Sequence, residues 1–404
     1  MSALSPFSGA AYERGNALAT HRFLMRLAMG AGNVFAWIFI FRGFYLVSGS
    51  TEASIFAVAI MYALMQGIVF ILTPLSGFAL RNGMRRALAY GTLIASFAFA
   101  CMSVVFAPQI GSGEFAFGMI VSFVILMGIH RALYWIPYRT EIADTGTYVS
   151  ASKGEEIILA FVPLIAGLMI ETIWLGPEAL LALAAFVALA ALIPLIRIPE
   201  SYEGFEWGFL ETFAALFSRS NQTLFTLSLA DGIQGAALLL IWPLAAFIII
   251  GQSFLGLGLI LTLTLIVTPF FRTGVRRLLK RHRAERSTPI LATLVFSSWL
   301  LRLAAASPLQ ILAVDVYAHS SSSPKRFSID HAVHDQSADG AHYVDEYTAL
   351  KEMGLALGRI IACLILAFVA LYVHAAAAFG AVIILAAFAS VVSVVISQRS
   401  SRAI

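Results

Sequence analysis

Thr73–Arg86, TPLSGFALRNGMRR, follows an apolar run and ends in a short basic turn. The same device returns at Thr268–Arg277, TPFFRTGVRR, about 195 residues later and again behind an apolar run. Two copies of one device, at matching places in two halves, predict a chain built by duplication. The turn has a physical rationale of its own. Glycine permits a tight reversal and close helix approach. Paired arginines at an interface meet lipid phosphates or helix C-termini and hold the turn on one side of a membrane. A plain topogenic charge cluster accounts for the arginines equally well.

Composition sets the solvent. Of the 404 residues, 60% are hydrophobic and 12% charged, against about 25% charged in soluble domains. Apolar runs of about 18–24 residues recur, each long enough to cross roughly 30 Å of hydrocarbon as a helix. They do not alternate as barrel strands would. The chain therefore reads as an all-α polytopic membrane protein. Twelve spans are predicted near 24–47, 54–73, 87–106, 115–136, 156–174, 179–196, 223–247, 254–271, 288–306, 308–320, 350–373 and 376–397. The tenth is the weakest, because it is short and Asp315 interrupts it. An eleven-span count is the alternative there.

Basic residues orient the spans. Of 26 Lys and Arg, 22 fall in one alternate set of inter-span segments and none in the other. The remaining four, Arg26, Arg42, Arg302 and Arg359, lie within spans. By the positive-inside rule both termini are cytoplasmic, in a cell (inner or plasma) membrane. The predicted organisation is a tail at 1–22, a six-helix half at 23–197, a linker at 198–222, a second half at 223–397 and a tail at 398–404. A polar loop at 318–349 interrupts the second half. Phe205, Phe209, Phe213 and Leu216 predict that the linker is an amphipathic helix lying at the membrane face. Cys101 and Cys363 both fall in apolar runs and imply no disulfide framework. The net charge of +4 is explained by topology, so nucleic acid is not expected as a partner.

A shift of 200 residues lays Leu24–Val47 on Leu224–Phe247, with Leu24, Leu27, Gly32 and Ala36 meeting identical residues. Weak identity with the same order of elements is the mark of an internal transporter repeat. With these features the chain resembles the major facilitator superfamily. The family pattern Gly-x-x-x-Asp-Arg-x-Gly-Arg-Arg is met by Gly77, Arg85 and Arg86, while Gly83 sits one position early. Arg81 stands where the family has its acid. The second copy, with Gly274, Arg276 and Arg277, is shorter. The resemblance implies two pseudo-symmetric six-helix halves, and spans 1, 4, 7 and 10 lining a central cavity. It also implies that the charge-relay latch served by the family's acid is rebuilt or absent here. Pro163–Gly167 is similar to the latter part of an exporter element, without its leading glycine.

Ionisable groups inside spans are costly unless paired, so each is a site candidate. Arg42 reads as an anchor for an anionic group or as a residue snorkelling to the surface. Asp231, followed by Gln234, and Asp315 read as proton-coupling sites or as structural ion-pair partners. Arg359 reads as a substrate or gate residue, or as the partner of an acid such as Asp231. A pairing of Arg42 with Asp315 across the cavity is expected from their similar depth. Gly354 and Gly358 form a strip suited to close helix contact. Arg302 and Glu171, near span ends, read as wetted residues. Tyr134 and Trp135 are belt anchors or a stacking surface, and Trp242 is a further cavity candidate. His331, His334 and His342 would be a metal set only if the loop folded around an ion; a solvated loop is the expectation, with no metal and no cofactor. No phosphate loop, nucleophile elbow or Cys-x-x-Cys is present, so no enzyme is expected. The expected function is secondary active transport of a small solute, with an anionic group and proton coupling as the finer readings. Lipid or polyprenyl-glycan flipping, and a non-transporting membrane enzyme or sensor, are the alternatives.

Overall fold

The computed structural model describes residues 6–107, 113–145, 152–172, 175–202, 205–281, 288–321 and 344–403. All regular structure among them is helical. The chain runs through α1 (Pro6–Ser48), α2 (Thr51–Arg81), α3 (Met84–Val105), α4 (Gly113–Thr145), α5 (Lys153–Glu171) and α6 (Gly176–Ala190). It continues through α7 (Phe209–Leu216), α8 (Gln222–Ala236), α9 (Trp242–Ile249), α10 (Phe254–Arg281), α11 (Thr288–Leu300), α12 (Pro308–Ser321), α13 (Val344–Tyr372) and α14 (Ala375–Ala403). A π-helical turn, Ala237–Ile241, joins α8 to α9 in one rod.

Nine helical segments among the described residues are long and apolar enough to cross a membrane. The shorter apolar helix Thr288–Ala304, α5 and α12 stand where the other three spans were expected. The 14 residues of α12 reach only about 21 Å at 1.5 Å per residue. Large apolar side chains point outward along the bundle, such as Phe97, Phe186, Phe270 and Phe388. A water-facing surface does not carry that much apolar area in contiguous patches, whereas lipid tails match it.

Local chemistry explains the helix ends. Ser50 caps α2 by accepting from the Ala53 amide, and Ser152 forms a capping box with Glu155 on α5. Pro74 lies inside α2, where the Thr73 hydroxyl donates to the Val69 carbonyl at 2.6 Å. α2 ends at Asn82, and Gly83 turns the chain at φ +118°, a conformation that disfavours a side chain.

The sequence expectation fails in two places here. The N-terminal segment continues α1 back to Pro6 instead of forming a tail up to residue 22. Arg14 ties it to the bundle through an ion pair with Glu141 and a bond to Ser201. Among the described residues the linker is α-helical only over Phe209–Leu216, with a short 3-10 turn at Arg219–Asn221. Phe205, expected on the same helical face, lies outside any helix and is fully buried in a cluster with Leu80, Met84, Ile136 and Ala349.

Helices before and after the linker meet along two seams. α13 packs along α2, and α10 packs along α5. Gly167 abuts the Phe254 carbonyl so tightly that a Cβ would sit 2.6 Å from it, and Gly258 is pressed against the Pro163 carbonyl. The Leu164 amide donates to the Thr262 hydroxyl at 3.1 Å across the same seam. At one end of the bundle Glu171 accepts from Ser253 and from the Leu255 amide, both at 3.0 Å. At that end Phe254 also meets Phe35, Phe39 and Phe247. This is the far end. The opposite, basic end carries Arg14, Arg81, Arg85, Arg86 and the linker.

Candidate functional site

The centre of the bundle holds charges without counter-ions. Arg359 is 5% exposed and lies near the middle of α13, about 20 Å from either end at 1.5 Å per residue. The packing of α13 on α8 puts it there. Gly358 presses on the Leu229 carbonyl, Gly232 on the Leu355 carbonyl, and a Cβ on Gly354 would sit 2.6 Å from that of Ser228. The predicted small-residue strip is therefore a close crossing, and Gly235 leaves room for the Arg359 side chain.

From this position Arg359 reaches across to the first half. Its Nη1 donates to Gln66 Oε1 of α2 at 3.3 Å. Arg131 of α4 and Glu352 of its own helix are the charged groups near it, and the Tyr62 phenol of α2 is a neutral neighbour. Glu352 sits seven residues earlier on α13, about 10 Å along the axis, and its Oε1 lies 3.9 Å from Arg139 Nη2. No carboxylate among the described residues is within ion-pair distance of Arg359 or Arg131. Tyr62 sits edge-on to Trp37 of α1, with ring centres 4.9 Å apart.

Four unsatisfied donors lie around this centre, with the unsatisfied Glu352 Oε2 two turns away along α13. Arg359 Nε, Arg131 Nε, Gln66 Nε2 and Trp37 Nε1 are buried with no acceptor. Buried polar groups are normally paired, and an isolated one costs about 1–3 kcal/mol, more when charged. A cluster of orphaned donors carrying two positive charges is chemically an acceptor for an anion.

Arg131 was not singled out by the sequence, where it counts among the basic residues of a loop. α4 runs on to Thr145, which draws Arg131 into the bundle. Its position in the run Ala-Phe-Gly-Met through Gly-Ile-His-Arg, inside the predicted fourth span, was the available signal. The charge asymmetry that orients the chain survives its removal from the loop count.

The other candidates distribute over three places. In the second half, Arg302 is 2% exposed and pairs with Asp315 Oδ1 at 3.1 Å. Trp242 Nε1 donates to the other oxygen of Asp315 at 3.0 Å, and the guanidinium lies over the Trp242 and Trp299 rings at 5.3 and 4.5 Å. Arg302 is thus buried in the protein, not wetted, and it takes the place beside Asp315 that sequence depth assigned to Arg42. Arg42 is exposed and lies 5.3 Å over the ring of Phe254 at the far end. Asp231 accepts from Ser393 of α14 at 2.8 Å and from Gln234 at 3.2 Å.

In the first half, Tyr134 is buried between His21, His130 and Tyr138, stacked on the last with ring centres 5.6 Å apart. Trp135 lies against Arg22 and Arg139. At the basic end, Arg81 donates to the Phe205 carbonyl, and Phe205 lies against Gly77 where a side chain would collide with it. Arg85 donates to Glu200 and to the Ile198 carbonyl, both at 3.2 Å, and Arg86 is 3.6 Å from Glu200. The Glu206 amide donates to Glu346 of α13 at 2.9 Å. Linker residues therefore fill the place left by the missing acid. In the second copy Gly274 and Arg277 are exposed on α10, and Arg276 lies on the same helix. His331, His334 and His342 lie outside the described residues. Among the described residues, no cluster of His, Cys, Asp and Glu is placed to hold a metal.

No family profile matches the sequence, and no curated protein sequence matches it. Solved structures do. A D-xylose–proton symporter aligns over 94% of this chain and 96% of its own, with a TM-score of 0.61 at 14% identity. The nucleoside transporter NupG aligns over 96% and 99%, at TM-score 0.57 and 14% identity. A bacterial homologue of the iron transporter ferroportin, in an inward-facing state, aligns over 95% and 98%, at TM-score 0.60 and 13% identity. The chain shares the fold of these transporters. In this fold the Arg359–Gln66 contact joins α13 to α2 near the middle of both helices.

Proposed function

We propose that the protein is a secondary active transporter that moves a small solute bearing an anionic group by alternating access. The observation that carries this reading is the central pair of arginines, Arg359 and Arg131, from opposite halves, surrounded by orphaned donors. A resting protein gains nothing from such a cluster, because uncompensated buried charge costs several kcal/mol. A transporter that must lower the barrier for an anion needs it.

The finer organisation belongs to the same reading. The chain forms twelve crossings in two six-helix halves, 23–197 and 223–397, joined by 198–222, with both termini cytoplasmic in a cell membrane. The far end is then the outer face, closed by Glu171 on Ser253 and by the Phe254 aromatic cluster. Asp231, held by Ser393 and Gln234, is the better candidate for proton coupling, since Asp315 already neutralises Arg302. The shared fold of a D-xylose–proton symporter supports proton coupling as a chemistry this scaffold carries. The solute and the bilayer are the partners; no catalytic role is assigned.

The test is uptake of organic anions into proteoliposomes under an imposed pH gradient, comparing the natural protein with Arg359→Gln. Gradient-dependent uptake that the substitution abolishes supports the reading. Absence of flux for every anion tried, with folded protein in the vesicles, refutes it. One observation favours a lipid-linked cargo instead. A groove of about 650 Å³, lined by Asn16, Thr20, Leu24, Ile193, Pro194 and Arg197, lies between the first part of α1 and the chain that follows α6. Scrambling of a labelled lipid by the same vesicles would favour that reading.

A further inference from the structure

We infer that the central site takes a dianion, bound between Arg359 of the second half and Arg131 of the first. This rests on the transporter reading for its biological sense, and on geometry for its charge count. Arg359 has one hydrogen bond, to a neutral amide oxygen, and its Nε has none. Arg131 has no hydrogen bond or ion pair among the described residues, and its Nε is buried. α13, which carries Arg359, packs against α4, which carries Arg131, and two like charges brought together there repel. Glu352, two turns along α13, has its Oε1 3.9 Å from Arg139 Nη2 and its Oε2 without a hydrogen bond, and its charge is set against that of Arg139. Arg359 and Arg131 are left with no carboxylate within ion-pair distance among the described residues.

A neutral solute leaves both charges unpaired. A monoanion leaves one. A dianion neutralises the pair, and guanidinium groups bind carboxylate or phosphate oxygens through two parallel N–H donors each. Gln66 Nε2 adds a neutral donor on the same side, and the Tyr62 phenol a further one, so the ligand presents several oxygens. Tyr62 and Gln66 are four residues apart and share one face of α2. Two chemical classes satisfy this description, a phosphate monoester and a short dicarboxylate. Both carry two charges close together and a small body.

The charges also divide between the halves. A ligand with an oxyanion group on each arginine bridges α4 to α13 and removes the repulsion that opposes their approach. The site is completed by its cargo, which is differential binding of the closed state in the sense that drives a population shift.

The experiment uses the full-length protein in nanodiscs, with thermal unfolding and tryptophan fluorescence as readouts, since Trp37 adjoins Tyr62. Matched probes separate charge from shape: succinate against monomethyl succinate, and glycerol 3-phosphate against glycerol. At least one dianion is expected to bind ten-fold or more tighter than its less charged partner. Which pair shows the difference tells carboxylate from phosphate. Arg131→Gln and Arg359→Gln are each expected to erase that difference, while Arg131→Lys keeps part of it. Arg359→Gln could fail to fold, so the comparison on the natural protein stands as an independent measurement. Equal affinity for each dianion and its partner on the natural protein would overturn the inference. Proteoliposome flux separates it from the broader reading. Uptake of a neutral solute undiminished in Arg131→Gln sinks the dianion and leaves a transporter. Tight dianion binding with no flux keeps the site and sinks the transporter.

Discussion

Replacing Asp315 by Asn distinguishes a structural acid from a proton carrier. In the folded protein Asp315 accepts from Trp242 Nε1 and from Arg302 Nη2, and Arg302 is 2% exposed. Asn keeps the shape and an oxygen for Trp242 but leaves Arg302 with no counter-ion. Its remaining support is the Ser298 carbonyl at 3.3 Å and the faces of two tryptophans. Cation–π contacts contribute about 0.5–2 kcal/mol each, whereas removing one partner of a buried pair costs about 3–5 kcal/mol. The contacts with the rings are present before and after, so they do not offset the loss. Asp315→Asn should therefore destabilise by about 3 kcal/mol, roughly a hundred-fold in the unfolding equilibrium. The double variant Arg302→Met with Asp315→Leu removes both charges and should return to within about 1 kcal/mol of the natural protein. Reversible detergent-denaturant unfolding, followed by tryptophan fluorescence, measures all three, because Trp242 and Trp299 line the cluster. Natural stability in Asp315→Asn, with only gradient-driven uptake lost, would refute the reasoning and make Asp315 the coupling acid.

Three further substitutions test separate parts of the fold. Gly358→Leu drives a side chain into the Leu229 carbonyl, and overpacking of this kind costs about 1–3 kcal/mol; the lowered unfolding midpoint should be accompanied by loss of anion binding, because Arg359 moves with its helix. Gly77→Leu occupies the space of the Phe205 ring and should cost about as much as Phe205→Ala, roughly 3 kcal/mol. If the two are combined, the loss should be well short of additive, since both remove the same contact. Arg42→Gln should leave uptake close to natural, as the side chain is exposed over Phe254 and away from the central arginines; a loss of more than ten-fold in uptake would return Arg42 to the solute pathway.

Much of this architecture was legible because hydropathy and charge placement follow from the bilayer itself. The Thr-Pro and basic turns, the strip of Gly354 and Gly358, and the mid-span position of Arg359 could be read directly. Which way a side chain faces could not. A span apolar on every side has no periodic stripe to show which face meets a neighbour. Hence Arg302, near a span end, reads as a wetted residue, although it is the partner of Asp315, 13 residues away across a turn. Arg131 counts with the basic loop residues by charge placement although the fourth predicted span, 115–136, already contains it, because a cation near a span end reads as topogenic. Helical spacing puts Phe205 on one face with Phe209 and Phe213, but it lies before the helix begins at Phe209. The buried space beneath Gly77, 128 positions earlier in the chain, is what draws it in.

The setting of Phe205 bears on how the chain is built. Its ring fits beneath Gly77, its carbonyl is held by Arg81, and Ser201 accepts from the Met84 amide at the start of α3. All of these partners precede it in the chain. During synthesis the strap through Phe205 can dock as soon as α1–α6 are in place. Ala349 and Tyr347, made some 140 residues later, then arrive at a surface that is already finished. The strap thus acts as a template: the first half completes itself with a piece of the connection, and the second half is cast against it.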